Sequence, residues 1–263
     1  MSVSKYIKEL QSYEEYAFSL AELIKAVDKT EISLKRELSR LVEKREILNL
    51  RKGFYLIIPP RYSNQGQLPV QLYIEKLFIF LKRNYYLGFY SAAKFHGAGH
   101  QQIQRDYIIT SYPSILDIKK NSIDINFCAI SNWPNNNILE KKSDAEYFKI
   151  SSPVLTFVDL IHHKAKLGGL NRVFTVLQEL TEEITQQDLS DLLNWYPYMS
   201  TLQRFGYLLE LLQADKVIIE QLHAHIRTHN YYPILLDHKA GQKAGAVDNK
   251  WKVAVNIKLE SDL

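Results

Sequence analysis

The sequence predicts an α+β fold, an N-terminal winged helix-turn-helix followed by a larger mixed α/β domain with many helices. Three observations lead there. Two short helical windows meet at Asp28-Lys29 and are followed by two β-type runs around Arg51-Lys52-Gly53. A polar, turn-rich stretch from Arg61 to Pro69 comes next. Beyond it, strand-like apolar runs alternate with windows of helical period. The expected organisation is therefore a first domain over 1–60, a linker over 61–69 and a second domain over 70–263.

Val3 to Leu10 has the spacing of a short amphipathic helix, and Tyr16-Ala17-Phe18 suits a short strand. Ser19-Leu20-Ala21-Glu22 is a capping box, in which serine accepts from the amide at glutamate and glutamate reaches back. It opens a helix to about Val27. Asp28-Lys29 forms a tight turn, and Thr30 is the N-cap of a third helix running to about Arg45. Leu34, Leu38, Leu41 and Val42 fall on one apolar stripe of that helix. Ile47 to Leu50 and Phe54 to Ile58 flank a basic turn and make a hairpin, which Pro59-Pro60 ends because proline cannot continue the ladder.

In the second domain, Val70 to Arg83 and Tyr86 to Phe95 are expected to be helical. Asp106 to Ser111, Ser122 to Ile130 and Ala145 to Ile150 are expected strands. Pro153 suits the first position of a helix to about Lys164, and Gly168-Gly169 breaks it. Helices are expected over 170–180, 186–195, 201–213 and 216–228. Tyr232 to Leu236 and Trp251 to Ile257 then form a last strand pair around a flexible loop.

A hydrophobic share of 46% and a charged share of 24% are ordinary for a soluble globular chain. There is no apolar run long enough to span a membrane and no apolar signal-peptide core near Met1. The one cysteine, Cys128, lies in an apolar run and suits a buried thiol. These features point to a cytoplasmic protein.

Charge is localised. From Lys29 to Gly53 eight cations face four anions, so this stretch holds the chain's whole net charge of +4. At about 100° per residue from Leu34, the leucine stripe lies between about −20° and 80°, whereas Ser33, Arg36 and Arg40 lie between about 200° and 260°. One helix face packs while the other offers guanidinium groups and a hydroxyl, which is what a helix in the major groove of double-stranded DNA presents. Ser33 and Arg36 are the base-reading candidates, and Lys35, Arg40 and Lys44 suit phosphates. Arg51 and Lys52 at the wing tip suit the adjacent backbone or minor groove. With Thr30 at the helix start, these make up the expected DNA-binding set. The competing readings are a merely solvated basic face and a winged helix that binds protein.

The rest of the chain offers little chemistry. His162-His163 and His223 with His225 do not share helix faces, and His96 and His100 are separated by Gly97 and Gly99. No metal-ligand, nucleophile-elbow or phosphate-loop pattern occurs, so no metal or cofactor is expected. Asp159 in the apolar run Thr156 to Leu160 must be paired if buried, as a structural group or as part of a site. The expectation is a non-enzymatic domain. Tyr85-Tyr86, Tyr196 with Tyr198, and Tyr231-Tyr232 suit either an interface or the core.

Taken in order, several segments resemble the AbiEi-type antitoxins of bacterial type IV toxin–antitoxin systems. Leu38 to Lys44 followed by Leu50 to Tyr55 resembles the family's recognition helix and wing. Tyr85-Tyr86 with Ser91 to Gly97 resembles its "yy…SA…HG" segment, and Ser152 to Leu160 with Gly168-Gly169-Leu170 resembles "s…T.lDl…ggl". Gln203 to Glu210 resembles "qRlGyLLE", and Trp251 to Asn256 resembles "W.v.vN". Arg45-Glu46 departs from the pattern, which has a glycine before the wing strand. The resemblance implies a bifunctional protein. Its first domain would bind repeats in its own promoter and repress the operon. Its second would counteract a nucleotidyltransferase-like toxin without requiring a stable complex. The alternative is a free-standing regulator whose second domain senses a ligand or a protein.

Overall fold

The computed structural model describes residues 1–63, 68–99, 105–238 and 241–259, and the fold is mixed α+β. The chain forms two compact units. The first comprises Met1–Tyr86, Gln104–Ser131 and Glu140–Lys149; the second comprises Leu87–Ile103, Asn132–Leu139 and Ile150–Leu263.

The first unit begins with α1 (Val3–Ser12), β1 (Ala17–Ser19), α2 (Leu20–Ala26), α3 (Glu31–Glu43), β2 (Ile47–Arg51) and β3 (Phe54–Ile57). The strands form an antiparallel sheet in the order β1-β3-β2, with Ala17 opposite Leu56 and Ile47 opposite Ile57. The capping box at α2 is present in both directions: the Ser19 amide donates to Glu22 at 2.6 Å and the Glu22 amide donates to the Ser19 hydroxyl at 3.2 Å. Val3, Ile7, Phe18, Leu23, Val27, Leu34, Leu38, Ile47, Tyr55 and Ile57 make one core, with Leu41 and Val42 against it. Leu34 and Leu38 are fully buried, each contributing about 1.5–3 kcal/mol. Phe18 stacks on Tyr55 at 5.5 Å and meets Tyr6 edge-on at 5.7 Å.

The turn from α3 into β2 keeps a glycine-type geometry without glycine. Arg45 takes φ 59. Its amide donates to the Val42 carbonyl and that of Glu46 to the Leu41 carbonyl, at 3.0 and 3.1 Å. This pair of bonds is a Schellman motif, whose left-handed residue is usually glycine.

Pro60–Ser63 form a short helix, α4, and residues 64–67 of the expected linker lie outside the described residues. The helix expected over Val70 to Arg83 is divided into a 3-10 turn (Val70–Leu72) and α5 (Ile74–Leu81), which ends at a left-handed Lys82. Tyr86 and Leu87, expected to open the helix over Tyr86 to Phe95, belong instead to the strand β4 (Tyr85–Leu87), and α6 starts at Phe89 and ends at Phe95. The reason is local: all three residues of β4 are buried, and Gly88 separates them from the helix. The remaining strands are β5 (Asp106–Ser111), β6 (Ile118–Lys120), β7 (Ile123–Ile130), β8 (Ile138–Lys142) and β9 (Tyr147–Ser151). The sheet runs β6-β7-β5-β4-β9-β8. β5 and β7 are parallel over six residue pairs, from Asp106 with Ile125 to Ser111 with Ile130, and β6 is antiparallel to β7. β6 and β8 are additional to the strands expected from sequence. Cys128 in β7 is buried and forms no disulfide among the described residues.

The second unit is helical, with α7 (Pro153–His162), α8 (Leu170–Leu180), α9 (Gln186–Leu193), α10 (Met199–Leu211) and α11 (Lys216–Arg227). The strands β10 (Ile234–Leu235) and β11 (Val253–Ala254) pair in parallel. Ser152 caps α7 and Pro153 opens it. Every residue of α7 from Val154 to Ile161 is buried, so α7 is the central helix. Asn137 locks its start to α9. Its Nδ2 donates to the Asp188 carbonyl and carboxylate at 2.8 Å, its Oδ1 accepts from Trp195 at 2.8 Å, and Asp188 accepts from the Val154 amide at 2.9 Å. No helix among the described residues is long and apolar enough to cross a membrane.

Candidate nucleic-acid interface

Burial of Leu34 and Leu38 sets the rotation of α3, so Ser33, Lys35, Arg36, Arg40 and Lys44 are exposed. Thr30 caps the helix, its hydroxyl accepting from the Ser33 amide at 3.4 Å. The cations on this helix differ in how free they are. Lys35 pairs with Glu31 at 2.6 Å, and that hydrogen bond raises its pKa. Lys29 pairs with Glu37 at 2.8 Å. Arg36, Arg40 and Lys44 enter no ion pair among the described residues. The unpaired guanidinium groups therefore sit on the face turned away from the core.

At the hairpin turn Lys52 is exposed and Gly53 takes φ 80. Arg51 is placed differently from the exposed wing-tip group that the sequence suggests. A register shift between Asn49 and Arg51 re-aims the side chain. Its guanidinium donates to the Leu116 carbonyl at 2.5 Å and lies 5.4 Å from the centre of the Phe127 ring. Burial, and then the charge of Arg83, push its pKa down. Lys120 on β6 donates to the Asn49 carbonyl at 2.7 Å, bracing the same hairpin. Neither contact is visible in the sequence, since β6 lies far along the chain; the pattern Ile118-Lys119-Lys120 before Ile123-Asp124-Ile125 is the signal that could have shown it.

Among the described residues, the titratable groups of the second unit are held in separate contacts. His96 donates from Nε2 to the Ser151 carbonyl at 2.7 Å. His162 Nδ1 lies 3.1 Å from the Thr201 hydroxyl. His163 packs edge-on against Phe89 at 5.3 Å, and burial, helped by His162 and Lys166, pushes its pKa down to about 3. Asp159 is buried on α7, and Lys164 pairs with Asp237 at 3.6 Å. No group of ligands suited to a metal occurs among the described residues; His100 lies outside them.

A polar constellation surrounds Trp251, which is fully buried. Gln203 Nε2 donates to the carbonyls of Tyr232 and Trp251 at 2.9 and 2.8 Å. Arg204 donates to those of Leu235 and Leu236, both at 3.0 Å. Gly206 leaves the space that the indole fills, and Glu210 accepts from its Nε1 at 2.6 Å. Asn256 exchanges two hydrogen bonds with the Asp237 backbone, at 3.0 and 2.7 Å. One face of α10 thus holds both strands of the β10–β11 pair. Residues 139–211 match the family model described as the AbiEi antitoxin C-terminal domain.

The AbiEi match begins in β8 and runs to the last residue of α10. It includes α7 with Asp159 and the α10 residues that hold Trp251, and it agrees with the resemblance carried by the ordered motifs. A solved structure gives a wider likeness. The crystal structure of the RV2827C protein from Mycobacterium tuberculosis matches with a TM-score of 0.65 at 16% identity, over 95% of this chain and 89% of that chain. At that identity the likeness is one of fold. No curated protein matches the chain.

Proposed function

We propose that the protein is a DNA-binding antitoxin of a type IV toxin–antitoxin system that represses its own operon and counteracts a nucleotidyltransferase-like toxin. The AbiEi match supports the antitoxin half, and an antitoxin implies a toxin as its counterpart. The observation that carries the DNA half is the face of α3: Ser33, Arg36 and Arg40 exposed opposite the buried Leu34 and Leu38. On this reading α1 to β3 form a winged helix-turn-helix within residues 1–60, followed by the 61–69 linker and a 70–263 antitoxin domain. α3 lies in the major groove with Ser33 and Arg36 at base edges. Thr30, Lys35, Arg40, Lys44 and Lys52 serve the phosphates, while Arg51 braces the wing from behind.

The test of the first half is an electrophoretic shift with the full chain on the DNA upstream of its own gene, against a scrambled duplex, over a range of salt. Preferential binding that weakens as salt rises is expected. Equal or absent binding at low salt overturns the reading. For the second half, the chain is co-expressed with a nucleotidyltransferase-like toxin encoded beside it. Restored growth is expected, with or without a co-purifying complex; unchanged toxicity overturns it.

A further inference from the structure

Ile32 stands out on α3. It occupies the second position of the helix and is 68% exposed, on the same element whose Leu34 and Leu38 are almost wholly buried. A β-branched residue loses side-chain freedom in a helix, so local helix propensity does not explain it there. Core packing does not explain it either, given its exposure. Its neighbours are informative. Arg36 lies one turn on, on the same face, and Ser33 is adjacent; both are exposed. Lys35 and Lys29 are drawn into pairs with Glu31 and Glu37. What the start of α3 presents is therefore one large apolar side chain beside a guanidinium and a hydroxyl.

The edge of an A·T pair in the major groove is the complement of that arrangement. Thymine offers an O4 acceptor next to a C5-methyl group, and side-chain methyls read the latter by contact. We infer that Ile32 reads a thymine C5-methyl in the major groove, with Arg36 or Ser33 hydrogen-bonding beside it. The inference rests on the DNA-binding reading above and adds the class of base and the atom recognised. It also assigns a specificity role to a residue whose side chain carries no charge and no hydrogen-bonding group.

The experiment is a methyl scan. The full chain selects its preferred duplex from a randomised pool, and each thymidine of that duplex is then replaced singly by deoxyuridine, which removes only the C5-methyl. Wild-type protein is expected to lose about fourfold in affinity at the position that Ile32 contacts, the worth of one buried methyl. Ile32→Ala is expected to be indifferent to that replacement while keeping its response to salt. Circular dichroism and gel filtration check that the variant is folded and unchanged in assembly. Wild-type indifference to every replacement in a tightly bound duplex overturns the inference and leaves DNA binding standing. Ile32→Ala retaining the wild-type deoxyuridine profile, or changing the oligomeric state instead, also overturns it. Failure to enrich or bind any duplex overturns both readings together.

Discussion

Gly206→Ala should destabilise the protein, against the usual sign for that exchange. In a helix interior alanine is favoured over glycine by about 1 kcal/mol. At position 206 a Cβ would meet three ring carbons of Trp251 at 2.2, 2.3 and 2.5 Å. Carbon atoms rest at about 3.5–4.0 Å, so the ring would have to move by roughly 1 Å or more. It has little freedom to do so. Trp251 is fully buried, its indole N–H is bonded to Glu210 at 2.6 Å, and its carbonyl accepts from Gln203 at 2.8 Å. Overpacking alone costs about 1–3 kcal/mol. Expulsion of the ring would forfeit much of the ~3–5 kcal/mol that a buried tryptophan is worth. Less the propensity gain, the net loss should be about 2 kcal/mol. Urea unfolding followed by circular dichroism measures it. A double-mutant cycle with Trp251→Leu isolates the cause, because with the ring gone Gly206→Ala should become neutral or stabilising. The reasoning is refuted if Gly206→Ala matches wild type in stability, or costs the same in both backgrounds.

Arg45→Gly should stabilise by about 1 kcal/mol, read as a higher urea midpoint, because Arg45 holds a left-handed conformation at φ 59 that costs an L-residue about 1–2 kcal/mol. Arg36→Ala should cost roughly 1–3 kcal/mol at the preferred duplex, whereas Lys52→Ala should weaken all duplexes alike and lower the salt slope by about one, both read by fluorescence anisotropy. Stability should fall between about pH 6.5 and pH 3, because His163 takes its proton near 3 in the folded chain and near 6.5 when unfolded, so the unfolded state binds more protons in that window. Thermal melts at pH 7 and pH 5 should show this loss, and His163→Phe should reduce it.

The parts legible in the sequence are those whose cause is local. The capping box at Ser19, the Thr30 cap, the leucine stripe of α3 and the Ser152-Pro153 helix start each depend on residues within one or two turns, and each is present. The face of α3 was legible for the same reason, since an amphipathic helix must turn its leucines inward. What escaped depends on distant partners. β4 was hidden because Tyr85-Tyr86-Leu87 has no period of its own, and β6 and β8 because short strands acquire identity only from a neighbour. The placement of Arg51 follows from a register shift within its own hairpin and from Leu116, which lies 65 positions further along the chain. Ile32 is hidden for a different reason: an isoleucine in an amphipathic helix reads as a core residue, and only the fold shows it exposed.

The family match and the candidate interface differ in what they allow a partner to touch. Gln203, Gly206 and Trp251 are buried, and Glu210 is bonded to the indole, so the motif residues of α10 and β11 act on one another. On the proposed antitoxin function, substituting them would lower protection from a toxin by lowering the amount of folded protein. Such a loss identifies a contact only if the melting temperature is unchanged. Groups that a partner can reach lie elsewhere on the same matched segment, for example the exposed Arg172 on α8 and Glu182 and Glu183 ahead of α9. Charge reversal there leaves the core intact, and surface substitutions of this kind usually shift stability by no more than about 0.5 kcal/mol. Loss of protection at constant stability would then locate the antagonistic surface. Protection that tracked stability across both groups of variants would instead place the matched segment's role in supporting the fold.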